Sequence, residues 1–134
     1  MEQYLEGLIE ELRRAVETEE RRGRIHLIAE PIRVETDKAV SIGLIVNELV
    51  TNALKYAYPA NGVGEIRVEF TRTAERGVEL VVEDDGVGYP DGAAPKGSGL
   101  GAMIVSAMAN TARATVELDR SHKGTRFVLN LGGN

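Results

Sequence analysis

The chain has 134 residues, of which 43% are hydrophobic and 28% charged, with a net charge of −5 and neither cysteine nor tryptophan. This suffices for one domain with a real core and is too short for two. It excludes disulfides and thiolate metal sites, fits a reducing cytosol, and argues against a general nucleic-acid binder. No apolar run approaches the ~18 residues of a membrane span and no signal peptide opens the chain, so a cytoplasmic segment without membrane contact is expected.

From Met1 to about Arg22, Leu5, Leu8, Ile9, Leu12 and Val16 form one apolar seam in a dense Glu/Arg surface, which predicts a helix that Gly23 stops. Ile25, Leu27 and Ala29 alternate as in a strand; Pro31 interrupts, and Ile32 and Val34 are expected to add a short second piece. Thr36 is the expected N-cap of the next helix, with Asp37 in its first turn. That helix should end near Tyr58, because Pro59 and the polar loop Ala60-Asn61-Gly62 follow. Ile66, Val68 and Phe70 then share one strand face and Arg67 and Glu69 the other. A turn near Glu75-Arg76-Gly77 leads into Val78, Leu80 and Val82.

Two glycine-rich loops, EDDGVGYP and GAAPKGSGLG, separate this hairpin from a helix expected over Leu100 to about Thr111, with Met103, Ile104, Ala107 and Met108 facing inward. Val116 and Leu118 open a last hairpin that turns at Ser121-His122-Lys123-Gly124 and returns through Phe127, Val128, Leu129 and Leu131. There is no internal repeat. Paired hairpins with helices between them predict an α/β (α+β) two-layer sandwich: a mixed, mostly antiparallel sheet covered by helices on one face.

The stretch IGLIVNELVTNALKYAY, Ile42 to Tyr58, organises the rest. At 100° per residue, Ile42, Val46, Leu49, Val50, Ala53, Leu54 and Ala57 fall in one broad arc, while Glu48, Asn52 and Lys55 line up on the opposite side at i, i+4 and i+7. A solvated stripe is the usual account of such a face. It would more often hold Glu, Lys and Gln than Asn, which competes for backbone hydrogen bonds in mid-helix. A carboxylate, an amide and an ammonium in one row therefore point to a site as well as to a surface.

Asp84-Asp85-Gly86-Val87-Gly88 lies where a strand ends. A carboxylate there can accept a hydrogen bond from an exocyclic amine such as that of adenine, and Gly86 and Gly88 let a ligand approach the backbone. Taken alone, an ordinary Asp-Gly turn is the better account. Gly97-Ser98-Gly99-Leu100-Gly101 directly precedes a helix, where exposed N–H groups make an anion site. No Gly-Lys-Ser/Thr follows, so it is not a P-loop, and a lone GxGxG is weak by itself.

Order decides between these accounts. An NExxxNxxK helix face, then DxGxG after a strand, then GxGLG before a helix, then Gly124-Thr125 opening the last strand, resembles the Bergerat or GHKL fold. This ATP-binding domain is shared by sensor histidine kinases, DNA gyrase, mismatch-repair ATPases and a heat-shock chaperone. NELVTNALKYAY is most similar to the N-box of bacterial histidine kinases of the HWE and related subclass. YLEGLIEELRRAV resembles the end of the dimerisation hairpin that precedes their catalytic domain. The resemblance divides the chain into a linker helix, 1–22, and an ATP-binding catalytic domain, 23–134.

The resemblance also implies roles. Glu48 matches the N-box acid that orients or activates a nucleophile, Asn52 the amide that ligates Mg²⁺, and Lys55 the basic residue near the phosphates. Tyr56 lies by the nucleotide. Asp84 matches the adenine-reading aspartate, with Gly86 and Gly88 shaping the pocket. Gly97, Ser98, Gly99, Leu100 and Gly101 match the lid hinge and phosphate loop, and Thr125 the hydroxyl that supports adenine recognition. The implied cofactors are ATP and Mg²⁺.

The chain departs from the pattern in places. Only eight residues, Tyr89 to Lys96, separate the glycine motifs and none is phenylalanine, so a short lid is expected; Ala102 replaces a larger aliphatic residue. A kinase of this type needs a phosphoacceptor histidine in mid-helix, followed by an acidic residue. His26 falls in a strand pattern before Leu27, and His122 falls in a turn. The acceptor is therefore expected on a separate helical hairpin, and a response-regulator receiver domain is the expected downstream partner. The alternatives are a serine kinase of the same fold that acts on a sigma-factor regulator, against which Met1 to Val16 speaks, and a non-catalytic phosphotransfer scaffold, against which Asn52, Asp84 and the loop glycines speak.

Overall fold

The computed structural model describes residues 1–15, 25–56, 65–74, 77–86, 99–119 and 124–132. Helix α1 (Glu2–Ala15) is followed by β1 (Ile25–Ala29), α2 (Thr36–Tyr56), β2 (Ile66–Arg72), β3 (Val78–Asp84), α3 (Gly99–Thr111), β4 (Thr115–Leu118) and β5 (Thr125–Asn130). The strands form one sheet in the order β1-β2-β3-β5-β4. β1 runs parallel to β2, and the other neighbouring pairs are antiparallel. The mixed, mostly antiparallel sandwich expected from the sequence is the fold observed.

Alternation sorts the sheet into two faces. Ile25, Ile66, Val68, Phe70, Val78, Leu80, Val82, Phe127 and Leu129 point to one side. There they join Leu5, Ile9 and Leu12 of α1, Ile42, Ile45, Val46, Leu49, Val50 and Ala53 of α2, Val105 and Ala109 of α3, and Ala112 just after it in a single core. All three helices thus cover one face. α1 belongs to that core: Leu5 and Ile9 are fully buried, and Arg13 Nε donates to the Ile25 carbonyl at 3.2 Å, fastening α1 to the edge strand. Where α1 approaches α2, the outer end of the exposed Tyr4 ring lies over Gly43, 2.8 Å from where a Cβ would stand.

Several local expectations change. The first helical hydrogen bond of α2 runs from Ala39 N to Glu35 O, so Glu35 holds the capping position and Thr36 is the first helical residue. Ile32 and Val34 form no strand. Glu30 N still bonds to Phe70 O, but Pro31 then turns the chain, and Ile32 is buried in the core as part of an irregular connection. In α3 the buried positions are Val105 and Ala109, with Met108 partly buried, and Ala112 just beyond its end is buried too, while Ala107 is exposed. The observed inward face is turned by about one residue from the expected one, and the phase is set by a short polar stripe, Ser106, Asn110 and Thr111, that is exposed on the opposite side. Met103 and Ile104 have side chains outside the described residues, as do Leu54 and Ala57 of the α2 arc, Val16 of the first seam, and the helix ends expected at Arg22 and Tyr58.

α3 ends in a Schellman motif. Ala114 N bonds to Ala109 O at 2.8 Å and Arg113 N to Asn110 O at 3.1 Å, with Arg113 in the left-handed region at φ 56°. Glycine is the usual residue there, so Arg113 carries strain of about 1 kcal/mol.

Candidate functional site

The covered face of the sheet is apolar along most of its length and turns polar at one end. β3 finishes in Asp84 and β5 begins in Thr125, and the antiparallel register sets the two opposite each other. Asp84 is only 2% exposed, an unusual state for a carboxylate, and it is stabilised by backbone donors. Its Oδ1 accepts from Gly86 N at 2.9 Å and from Thr125 N at 3.3 Å, so one oxygen ties the strand end, the following turn and the neighbouring strand together.

Gly124 explains how the strands come so close there. Its φ is +92°, and a Cβ would stand 2.8 Å from Gly86 N, 2.9 Å from the Asp85 carbonyl carbon and nearer still to the Asp84 carbonyl oxygen. Only glycine fits, on both backbone and steric grounds. The Gly124-Thr125 pair noted in the sequence is thus part of the Asp84 corner itself.

Glu48 and Asn52 sit one helical turn apart on α2, both half-buried, while Val46, Leu49, Val50 and Ala53 beside them are fully or nearly fully buried. α2 packs against β2, β3 and α3, and β3 and α3 carry Asp84 and the end of the second glycine motif. Lys55 and Tyr56 occupy the last turn of α2, with side chains outside the described residues. Gly99, Leu100 and Gly101 form the first turn of α3, so the backbone there is a helix N-terminus as expected. Gly88, Gly97, Ser98 and the short lid 89–96 lie outside the described residues.

On the open face, directly behind this corner, lies a charged row that the sequence reading did not assign. Arg67 Nε donates to Glu83 Oε1 at 3.1 Å, and its Nη1 and Nη2 donate to Asp85 Oδ2 and Oδ1 at 3.0 and 2.7 Å. Arg126 reaches Glu83 at 3.5 Å and Asp119 at 2.9 Å. The hydrogen bond to Asp85, against some burial and with help from Glu83, holds Arg67 above its already high ordinary value, so the guanidinium stays charged at every working pH. The available signal was the alternation that put Arg67 opposite Ile66 and Val68.

Residues 37–132 match the family of histidine kinase-, DNA gyrase B- and HSP90-like ATPases. The chain belongs to that family. A stretch of 115 residues, 79% of the chain, is 32% identical to the sensor histidine kinase PdtaS of Mycobacterium tuberculosis and covers 22% of that protein. Another of 103 residues, 76% of the chain, is 29% identical to blue-light-activated histidine kinase 2 of Erythrobacter litoralis and covers 30% of it. The chain thus spans less than a third of the length of these relatives.

Among solved structures, the Erythrobacter litoralis EL346 blue-light activated histidine kinase superposes with a TM-score of 0.79 at 27% identity, over 95% of this chain and 40% of that one. The mycobacterial sensor histidine kinase MprB shares the fold, with a TM-score of 0.75 at 24% identity over 100% of this chain and 95% of that one. The domain is therefore an ATP-binding domain of the histidine-kinase type. Among the described residues no helix is long and apolar enough to cross a membrane.

Proposed function

We propose that this domain binds Mg–ATP and donates the γ-phosphate to a histidine on a separate helical hairpin, for relay to a response-regulator aspartate in the cytoplasm. The observation that carries the reading is the buried Asp84, held by Gly86 and Thr125 at the one polar end of an apolar sheet face. A carboxylate fixed this way can read an exocyclic amine, and the hydroxyl of Thr125 beside it supports the same edge of the base.

In this proposal Glu48 orients or deprotonates the attacking imidazole. The imidazole nitrogen forms a bond to the γ-phosphorus, the bond to the β-phosphate oxygen breaks, and ADP leaves. Lys55 and the N–H groups of Gly97, Ser98, Gly99, Leu100 and Gly101 bear the phosphate charge at the α3 N-terminus, with Tyr56 beside the nucleotide and Gly86 and Gly88 shaping the base pocket. Among the described residues no group of three or more acidic, His or Cys side chains could hold a metal, so a cation would come with the nucleotide, and the Asn52 amide suits an octahedral ion otherwise bound by phosphates and water. Bound Mg²⁺ would neutralise charge on the leaving and transferring phosphates. The rest of the acceleration is positioning.

His26 is a poor acceptor: it sits in β1, half exposed, with Glu65 3.5 Å away, while His122 lies outside the described residues. The test is label from γ-labelled ATP, followed by acid treatment. Alone, the chain should label itself hardly at all. Adding a helical hairpin with a phosphoacceptor histidine should give acid-labile label on the hairpin, and Glu48→Ala should reduce transfer far more than ATP binding. Acid-labile self-labelling that vanishes in His26→Ala or His122→Ala would overturn the separate-acceptor reading. Acid-stable label on a partner's serine would make the chain a serine kinase, and ATP binding without any transfer would leave it a scaffold.

A further inference from the structure

We infer that Arg67 is a positioning residue for the base-reading carboxylate and acts on it from the opposite face of the sheet. The inference rests on the nucleotide-binding reading above and adds a residue to it. Asp84 has a carboxylate on either side of it in sequence. Alternation sends Glu83 and Asp85 to the open face while Asp84 turns inward. One guanidinium holds both neighbours: its Nε on Glu83 and its two terminal nitrogens in a fork on Asp85.

Three features make this grip a positioning device. Arg67 stands directly opposite Glu83 in the β2–β3 register, so its stem is set by the strand ladder and not by a mobile loop. Asp85 is the first residue beyond β3, and the fork grips the chain where the ladder stops. The next residue, Gly86, donates the N–H that holds Asp84 Oδ1, so the turn fastened through Asp85 is the turn that aims Asp84. Arg126, the residue after Thr125, grips Glu83 from the other side. The outer row therefore fastens the same strand ends whose inner row carries Asp84 and Thr125.

The geometry needs arginine. A lysine ammonium is a point charge and cannot offer a two-pronged fork to Asp85 together with a third donor to Glu83. Arg67 and Glu83 are largely shielded, at 26% and 14% side-chain exposure, and Asp85 is about half exposed, so the network adds to stability as well; what sets a positioning role apart is an effect on the aim of Asp84, where a small misplacement of a recognition group is felt strongly.

Calorimetry with ADP and GDP in Mg²⁺ tests the inference on the parent chain, Arg67→Met, Asp85→Ala and the double variant, with Arg67→Lys and Asp85→Asn as gentler changes and melting temperature followed throughout. Arg67→Met and Asp85→Ala should each weaken ADP about three- to tenfold and narrow the preference for ADP over GDP by a similar factor. The double variant should be no worse than either single one, as expected for partners in one interaction. Arg67→Lys should restore only part of the preference. A brace that merely stabilised the sheet would lower the melting temperature and leave the ADP-to-GDP ratio alone. An unchanged ratio in Arg67→Met and Asp85→Ala, or in the gentler pair should these fail to fold, would overturn the inference and leave the nucleotide reading standing. A parent chain that binds neither nucleotide would overturn both.

Discussion

On its covered face the sheet presents Ile66, Val68, Phe70, Leu80, Val82 and Leu129 to three helices; on its open face the same strands present Arg67, Glu69, Glu83 and Arg126. The covered face excludes water and ends in a buried carboxylate; the open face is an ionic row behind that carboxylate. Burial of apolar surface is worth roughly 25 cal/mol per Å² and extends over the whole covered face, whereas the outer row is a few partly shielded ion pairs at one end of the sheet. Stability is therefore assigned to the covered face, and the geometry of the site to the point where the two faces meet.

Replacing Ile9 by Ala should break the first half of that comparison most severely. Ile9 is fully buried between α1 and the sheet, and its truncation should cost about 2–5 kcal/mol in denaturant unfolding. A loss below about 1 kcal/mol would show that α1 is a loosely attached linker and not part of the core.

Asn52→Ala separates binding from stability on α2. Alanine is the better mid-helix residue, so thermal stability should hold or rise by about 0.5 kcal/mol. ATP affinity should fall roughly tenfold in Mg²⁺ and much less in EDTA, as loss of a metal ligand requires. Calorimetry that gave an equal loss with and without Mg²⁺ would assign Asn52 to the nucleotide directly.

The smallest effect is expected far from the site. Arg113→Gly relieves the left-handed backbone at the end of α3 and should stabilise the chain by about 0.5–1 kcal/mol with nucleotide affinity unchanged. A lower melting temperature would show that the arginine side chain makes a compensating contact.

Features whose cause is local were legible in the sequence. The apolar arc of α2, the β2–β3 hairpin, the span of α3 and the Gly124-Thr125 start of β5 all follow from periodicity and turn chemistry within a short window. The inward face of α3 is marked in the sequence only by Ser106, Asn110 and Thr111 on the far side, a short stripe easily outweighed by the apolar Met, Ile, Val and Ala around it. An apolar residue after Pro31 looks the same in sequence whether it pairs in a strand or plugs a core, and Ile32 plugs the core. The Arg67 grip is legible in the sequence only as an outward side chain and not as a pairing. Alternation placed Arg67 and Glu83 outward, but their pairing depends on the β2–β3 register, and that of Arg126 with Glu83 on a β5 strand much later in the chain.

The central claim is that Asp84 reads the base, and the most direct test is ATP calorimetry on Asp84→Asn beside the parent chain. Asparagine keeps an oxygen that can accept from Gly86 N and Thr125 N, so the corner should stay folded and the melting temperature should stay near that of the parent. Loss of the charge-assisted hydrogen bond to the adenine amine should cost about 1.5–3 kcal/mol, roughly one to two decades in affinity. The same ATP affinity in both proteins would contradict the account.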